Sequence, residues 1–156
     1  MLAEQVIETW KINHRVNDML LDHISPEGMR STLSTRGGRD VARQFAHLHN
    51  VRLSWLEVCA KDLAKGLEKL DAKVSPSKAV LKQHLAASTD AIAALLERGV
   101  STGGIVKNFK PGVVPMLGYL IAHEGHHRGS ILLTLKQRGH KVSTEIQFGI
   151  WDWAKL

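Results

Sequence analysis

The chain has 156 residues, of which 44% are hydrophobic and 23% are charged. This is ordinary globular usage, and it excludes a disordered, a collagen-like and a disulfide-stapled protein. The formal net charge is +6. Its lysines and arginines are spread along the chain without interleaved aromatic residues, which argues against nucleic acid as the main partner.

Neither the cysteine content nor the hydropathy indicates export or a membrane. Cys59 is the only cysteine, so no intramolecular disulfide forms, as is usual in a reducing compartment. No apolar run approaches the ~18–20 residues of a membrane span. The N-terminus lacks the basic and then apolar pattern of a signal peptide. We therefore expect a cytoplasmic protein with no membrane partner.

Four long segments with helical periodicity follow one another, at about residues 2–23, 39–70, 76–98 and 115–138. Capping or helix-breaking residues bound them: Pro26, Ser75 before Pro76, Gly99 and Gly139. No alternation typical of strands is present. The pattern predicts an all-α fold, a four-helix bundle in a single domain of residues 1–156, with a short C-terminal extension after residue 139.

The fourth helix contains the strongest candidate for chemistry. His123 and His127 are four residues apart, so they lie one turn apart on one face. Met116 and Leu120 share this face, and we expect both imidazoles to face the bundle interior. Such a pair suits a metal such as zinc, which binds nitrogen at ~2.0–2.1 Å. Two hydrogen-bonded histidines at a helix contact are the alternative.

A third ligand has to come from another helix. The second helix offers His47, on a polar stripe, and His49, among apolar positions, and periodicity does not choose between them. The rest of that helix is broadly apolar, which favours packing against a second subunit and therefore a homodimer. On the fourth helix, we expect His126 at the surface or behind the ligands. Arg128 is expected to meet solvent, a partner chain or an anionic ligand.

The same histidine pair also fits the H-E-x-x-H pattern of zinc proteases, with Glu124 as the general base. That pattern is short and occurs by chance on helices. A protease also needs a substrate cleft, usually with an edge strand, and no strand is predicted. We regard this interpretation as the weakest of those considered.

A wider match is found when the segments are taken together. The chain resembles the DinB/YfiT-like family of metal-binding four-helix bundles. The resemblance rests on INHRVND at residues 12–18, FAHL at 45–48 followed by WL at 55–56, HEGHHRGSI at 123–131 and FGIWDW at 148–153. The third segment is the most specific, because it is similar to the family pattern H-x-x-x-H-R-G-Q-I. Ser130 departs from it, standing where the family usually has glutamine.

This resemblance implies that His47, His123 and His127 are the ligands of a divalent metal, zinc or nickel most of all. His49 is then a packing residue or one that supports the ligands from behind. Characterised members of the family include S-transferases and isomerases that use the thiols bacillithiol or mycothiol, and other members are described only as metal-dependent hydrolases. The implied cofactors are therefore a metal and a low-molecular-weight thiol.

Two functions of different classes follow as expectations. The first is a metal-dependent enzyme, a thiol-dependent S-transferase or a hydrolase, acting on a small electrophilic molecule. The second is a metal-binding or structural bundle without turnover, because a fold does not specify a function. The loop at residues 100–115 is expected to shape the entrance to the site, with Lys107 and Lys110 as solvated charges. Cys59 is expected to be buried packing rather than a nucleophile.

Overall fold

The computed structural model describes residues 2–156, which form six helices and no strand. The helices are α1 (Leu2–His23), α2 (Pro26–Met29), α3 (Val41–Cys59), α4 (Lys78–Ser101), α5 (Val113–Gln137) and α6 (Thr144–Gly149). The four long helices form the bundle, with α1 and α3 each packed against both α4 and α5. The all-α prediction is confirmed. None of the helices among residues 2–156 is long and apolar enough to cross a bilayer.

The second long helix is shorter than its periodicity predicts, because α3 ends at Cys59 and not near residue 70. Residues 60–77 instead run back along α3, held by two polar side chains of that helix. Asn50 makes two hydrogen bonds to the backbone of Leu70, at 2.8 and 2.9 Å. His49 Nε2 donates to the carbonyl oxygen of Glu68 at 2.8 Å. These tertiary bonds replace the helical ones, which periodicity does not reveal.

Two further helix boundaries differ from expectation. The N-cap of α4 is Ser77, whose hydroxyl accepts from Val80 N, and not Ser75. Gly99 lies inside α4 rather than ending it. Its lack of a side chain serves a close approach, since a Cβ there would lie 2.9 Å from a methyl carbon of Val113. Gly139, by contrast, has the predicted positive φ of 78° just beyond α5.

The bundle core consists of two apolar clusters separated by buried polar side chains. One cluster contains Leu20, Phe45, Leu81 and Leu135, and the other contains Trp10, Leu56, Ile92 and Leu120. Between them along the helices lie six buried polar residues, which we call the polar layer: Asn13, Asn17, Arg52, Ser88, Thr89 and Glu124.

The apolar side of α3 is covered within one chain. Of the apolar residues that favoured a second subunit, Val41, Phe45, Leu48 and Leu56 are fully buried within the chain, and Leu63 lies beyond α3 and is partly buried. The four buried residues are covered by the chain itself, and the homodimer remains a prediction without their support.

Candidate metal centre

His47 of α3 meets His123 and His127 of α5 at the helix contact. One ring nitrogen of each imidazole lies within 4.8 Å of the other two. The ring centroids are 5.4 Å apart for His47 and His123, and 4.7 Å apart for each of the other pairs. We call these three residues the histidine cluster. No other group of this kind is found among residues 2–156.

The ring nitrogens of the histidine cluster are free of hydrogen bonds from the part of the chain that the structure describes. Other histidines differ in this respect: His23 and His84, for example, each bond the carbonyl oxygen four residues earlier in their own helix. All three cluster side chains are half-buried. The three imidazoles are therefore partly desolvated, and no other described residue hydrogen-bonds their ring nitrogens. Both properties are expected of metal ligands.

The cluster is also electrically neutral at physiological pH. Burial, with added repulsion from Arg39 and His123, lowers the pKa of His47 to about 4. Burial, with repulsion from neighbours that include His123 and His47, lowers the pKa of His127 to about 4. Burial likewise lowers the pKa of His123. Metals bind the neutral imidazole, so no proton has to leave before an ion can bind at pH 7.

The residues present fit a divalent metal. Ligand nitrogens at ~2.0–2.1 Å from one tetrahedral ion lie about 3.4 Å from each other. The ring nitrogens lie within 4.8 Å of one another, so binding requires a contraction of at most about 1.4 Å, which rotation of half-buried imidazoles can supply. Three imidazoles are ligands that zinc, nickel, copper and iron all accept. The arrangement is thus compatible with a divalent metal and does not select which one.

Glu124 lies between the two α5 histidines in sequence but on a different face of the helix. Its carboxylate is 1% exposed and accepts hydrogen bonds from Arg52 Nε at 2.6 Å, Arg52 Nη2 at 3.0 Å, Asn13 at 2.7 Å and Asn17 at 2.8 Å. Burial alone would raise the pKa of Glu124, but the charge and hydrogen bonds of Arg52 outweigh it and hold that pKa below its ordinary value. Such a carboxylate is unsuited to act as a general base, and the protease interpretation loses its key residue.

Arg52 completes this buried arrangement and was not singled out by the sequence. Its Nη1 donates to the carbonyl of Leu85 at 2.9 Å and to the hydroxyls of Ser88 and Thr89 at 3.2 and 2.9 Å. Its guanidinium also lies over the Trp10 ring, 4.7 Å from the centroid. The sequence contains one indication of this role. Arg52 shares a helix face with the apolar residues Leu48, Leu56 and Cys59, and a charge on such a face needs a partner.

The other candidate residues from the sequence lie outside the histidine cluster. His49 is fully buried and bonds Glu68, so it is a packing residue as the resemblance implied. Arg128 donates to Asn17 Oδ1 at 3.0 Å and lies 3.8 Å from Glu124 with its side chain 11% exposed, so of the three expected environments it does not mainly meet solvent. His126 is exposed, with its ring 5.3 Å from that of His127. Cys59 is buried, and burial raises the pKa of its thiol.

One side of the histidine cluster is aromatic. The ring of Tyr119, one turn before His123 on α5, lies nearly parallel to that imidazole, with centroids 6.3 Å apart. Trp55 of α3 and Phe109 of the loop after α4 contact Tyr119 and each other, at centroid distances of 5.3 to 6.5 Å. We call these three rings the aromatic wall. The loop thus reaches the site through Phe109, while Lys107 and Lys110 are exposed.

One of the comparisons with known proteins finds a match. No curated protein and no solved structure matches the chain significantly. A family model does match, described as the DinB family, over residues 1–145. The matched range contains all four bundle helices, the polar layer and the three residues of the histidine cluster. A helical bundle with three converging histidines, matched over most of its length, places the chain in the DinB family.

Proposed function

We propose that the protein is a metal-dependent enzyme in which His47, His123 and His127 hold a divalent ion that activates a low-molecular-weight thiol, or water, for attack on a small electrophile. The observation that carries this proposal is the convergence of three neutral imidazoles, free of hydrogen bonds, from two helices. Three protein ligands leave at least one coordination position open, as catalytic sites do and structural sites do not.

The chemistry that the ion supplies, when bound, is to stabilise the deprotonated form of a thiol or a water molecule. The chain's own residues do the rest. The three imidazoles orient the ion, and the near-parallel ring of Tyr119 limits the rotation of His123. The aromatic wall offers an apolar surface to the electrophile on one side of the site.

A thiol fits the site better than water. Base-assisted hydrolysis needs a side chain that removes a proton, and the 4.8 Å group among residues 2–156 contains no carboxylate or thiol. Glu124, the nearest carboxylate in sequence, is engaged by Arg52. A thiol needs less help, because its ordinary pKa of about 8.5 is much closer to neutrality than that of water. The proposed reaction is therefore S-transfer, with hydrolysis as the second candidate.

The absence of a neighbouring base in the described cluster also favours the other class of function. A bundle that binds a metal without turnover needs no such base. Turnover and metal content must therefore be measured together.

Metal content tests the site first. Tag-free wild type is expected to hold about one zinc or nickel per chain by mass spectrometry. His47→Ala and His123→Ala should lose it. His126→Ala is the matched control, because His126 is exposed, neighbours His127 and is not assigned as a ligand. Wild type without metal after incubation with zinc and nickel would refute the proposal, as would retention of metal in both ligand variants.

Turnover is tested with the metal-loaded protein, a panel of low-molecular-weight thiols and a Michaelis acceptor. We expect thiol consumption to depend on the protein and to disappear in His123→Ala. His23→Ala serves as the control, since His23 is exposed at the end of α1 and bonds only Met19 O. A stoichiometric metal with no turnover on any thiol would favour the non-catalytic bundle.

A further inference from the structure

A polar cleft of about 280 Å³ lies on the side of the histidine cluster away from the aromatic wall. Its walls come from three parts of the chain. The connector between α2 and α3 contributes Thr32, Ser34 and Arg39, α3 contributes Gln44, and α5 contributes His126 and His127. Because His127 also belongs to the histidine cluster, a small ligand in this cleft lies beside one of the three candidate metal ligands.

Two polar side chains of this cleft have no partner within residues 2–156. The guanidinium of Arg39 makes no hydrogen bond and no ion pair to another described residue. Gln44 is 7% exposed, and its side-chain amide is likewise unpaired among the described residues. The Gln44 amide is not among the side-chain atoms that are fully buried without a partner, so it is accessible from the cleft that it lines. Both groups are available to a ligand.

The cleft has positive charge and no acidic side chain to balance it. No Asp or Glu lines the cleft, and Glu124 is already neutralised by Arg52 and Arg128. Three neutral imidazoles leave both charges of a divalent ion uncompensated. The charge of Arg39, which lines the same cleft as His127, adds to this. The site as built favours an anionic ligand.

We propose that this cleft binds a carboxylate, with Arg39 as its ion-pair partner and the Gln44 amide as a hydrogen-bond donor, so that the reactive end of the same molecule reaches the metal site. The planar guanidinium matches a carboxylate with two parallel hydrogen bonds. The carboxylate belongs either to the thiol or to the electrophile. This inference rests on the proposed function and specifies which thiols or electrophiles it uses.

The chain supplies its own control. Arg36 lies three residues before Arg39 in the same connector, is also exposed, and does not line the cleft. Arg36→Gln and Arg39→Gln therefore remove the same charge from the same surface segment. Arg39→Lys keeps the charge but not the planar geometry. Any effect of net charge alone is the same in the two glutamine variants.

The first measurement uses metal-loaded protein. Cobalt(II) protein is titrated with 3-mercaptopropionate and with the neutral 2-mercaptoethanol, following the thiolate-to-cobalt charge-transfer absorption. We expect wild type and Arg36→Gln to prefer the carboxylate thiol about twofold to fivefold, as for an exposed ion pair. Arg39→Gln should lose most of this preference. An equal preference in Arg39→Gln and wild type would overturn the inference for the thiol.

The second measurement identifies which molecule carries the carboxylate. Turnover of a carboxylate thiol with a neutral acceptor is compared with turnover of a neutral thiol with an anionic acceptor. Arg39→Gln is expected to raise KM severalfold in one arm only, the arm whose carboxylate occupies the cleft. Unchanged KM in both arms would overturn the inference for either source.

The third measurement separates failure of the cleft from failure of the metal site. Metal-free, nitrogen-15-labelled protein is titrated with maleate, and the amide resonances of Gln44 and Ser130 are followed. Saturable shifts in wild type and Arg36→Gln that disappear in Arg39→Gln support the cleft even if no metal binds. Shifts that persist in Arg39→Gln, or none in wild type, would refute it even if the metal proposal holds.

Discussion

Glu124 and His123 are adjacent on α5, yet their polar atoms are in opposite situations. The Glu124 carboxylate is fully buried, and four hydrogen bonds from Arg52, Asn13 and Asn17 occupy its oxygens. The His123 imidazole is half-buried and has no hydrogen bond from residues 2–156, only ring contacts. Helix α5 therefore places a fully hydrogen-bonded carboxylate in the core and, on another face, imidazoles that no described residue hydrogen-bonds.

This comparison separates structural from functional polar groups better than the sequence motif does. In H-E-x-x-H the three residues are read together, but successive residues on a helix are about 100° apart. Glu124 consequently leaves the face of its neighbours and joins the polar layer. A buried charge such as Glu124 is tolerated in the fold only together with its hydrogen-bond partners. Half-buried neutral imidazoles carry no such desolvation penalty for a charge, so they can remain free to bind a ligand.

The largest effect is expected from breaking the polar layer. Glu124→Ala leaves the Arg52 charge buried between α1, α3 and α4 without its counter-ion, and loss of one partner from a buried pair costs about 3–5 kcal/mol. Urea unfolding should show this loss in the free energy of unfolding. Glu97→Ala, at an exposed position of α4, is expected to stay within about 0.5 kcal/mol of wild type. A comparably small loss for Glu124→Ala would mean that the layer is not the structural element we describe.

A smaller effect is expected from protonating the histidine cluster. His47 and His127 have pKa values of about 4 in the folded chain and about 6.5 when unfolded. Between these values the unfolded chain binds more protons, so the metal-free protein loses stability as the pH falls from 6.5 to 4. Above pH 7 both states are neutral and the contribution is constant.

The double variant His47→Asn, His127→Asn isolates this contribution. The other histidines remain in both proteins, so the difference between their stability–pH curves comes from the two replaced residues. We expect wild type to fall more steeply than the variant between pH 6.5 and 4, in urea unfolding of metal-free samples. Parallel curves would show that the cluster is more solvated than its burial indicates.

The sequence predicts the fold well where local signals agree with tertiary packing. Periodicity and caps locate four helices, and spacing places His123 beside His127. Sequence-based prediction fails where long-range hydrogen bonds determine a helix end. Helix α3 ends at Cys59, and Asn50 and His49 hold residues 68–70 alongside it. Helix propensity at residues 60–70 contains no information about that contact.

Only part of the site could be predicted from the sequence, for a similar reason. The spacing of one helix yields His123 and His127, but the choice between His47 and His49 depends on how α3 is rotated against α5. Only the resemblance to the DinB family favoured His47. Arg52 and the cleft around Arg39 were not predicted, because both arise where three or more segments distant in sequence meet.

The smallest effect is expected at the border between the histidine cluster and the aromatic wall. No described carboxylate or carbonyl orients the second nitrogen of His123, so its ring is positioned by ring contacts, of which Tyr119 supplies the one from outside the histidine cluster. An aromatic pair contributes about 0.5–1.5 kcal/mol, which corresponds to about a twofold to tenfold change in an equilibrium constant. Tyr119→Ala should weaken zinc binding by that factor in a competition titration with a chelating dye. Tyr119→Phe retains the ring and is expected to bind zinc as wild type does. A loss in Tyr119→Phe equal to that in Tyr119→Ala would assign the effect to the phenol hydroxyl, and His123 would then be oriented by hydrogen bonding as Glu124 is.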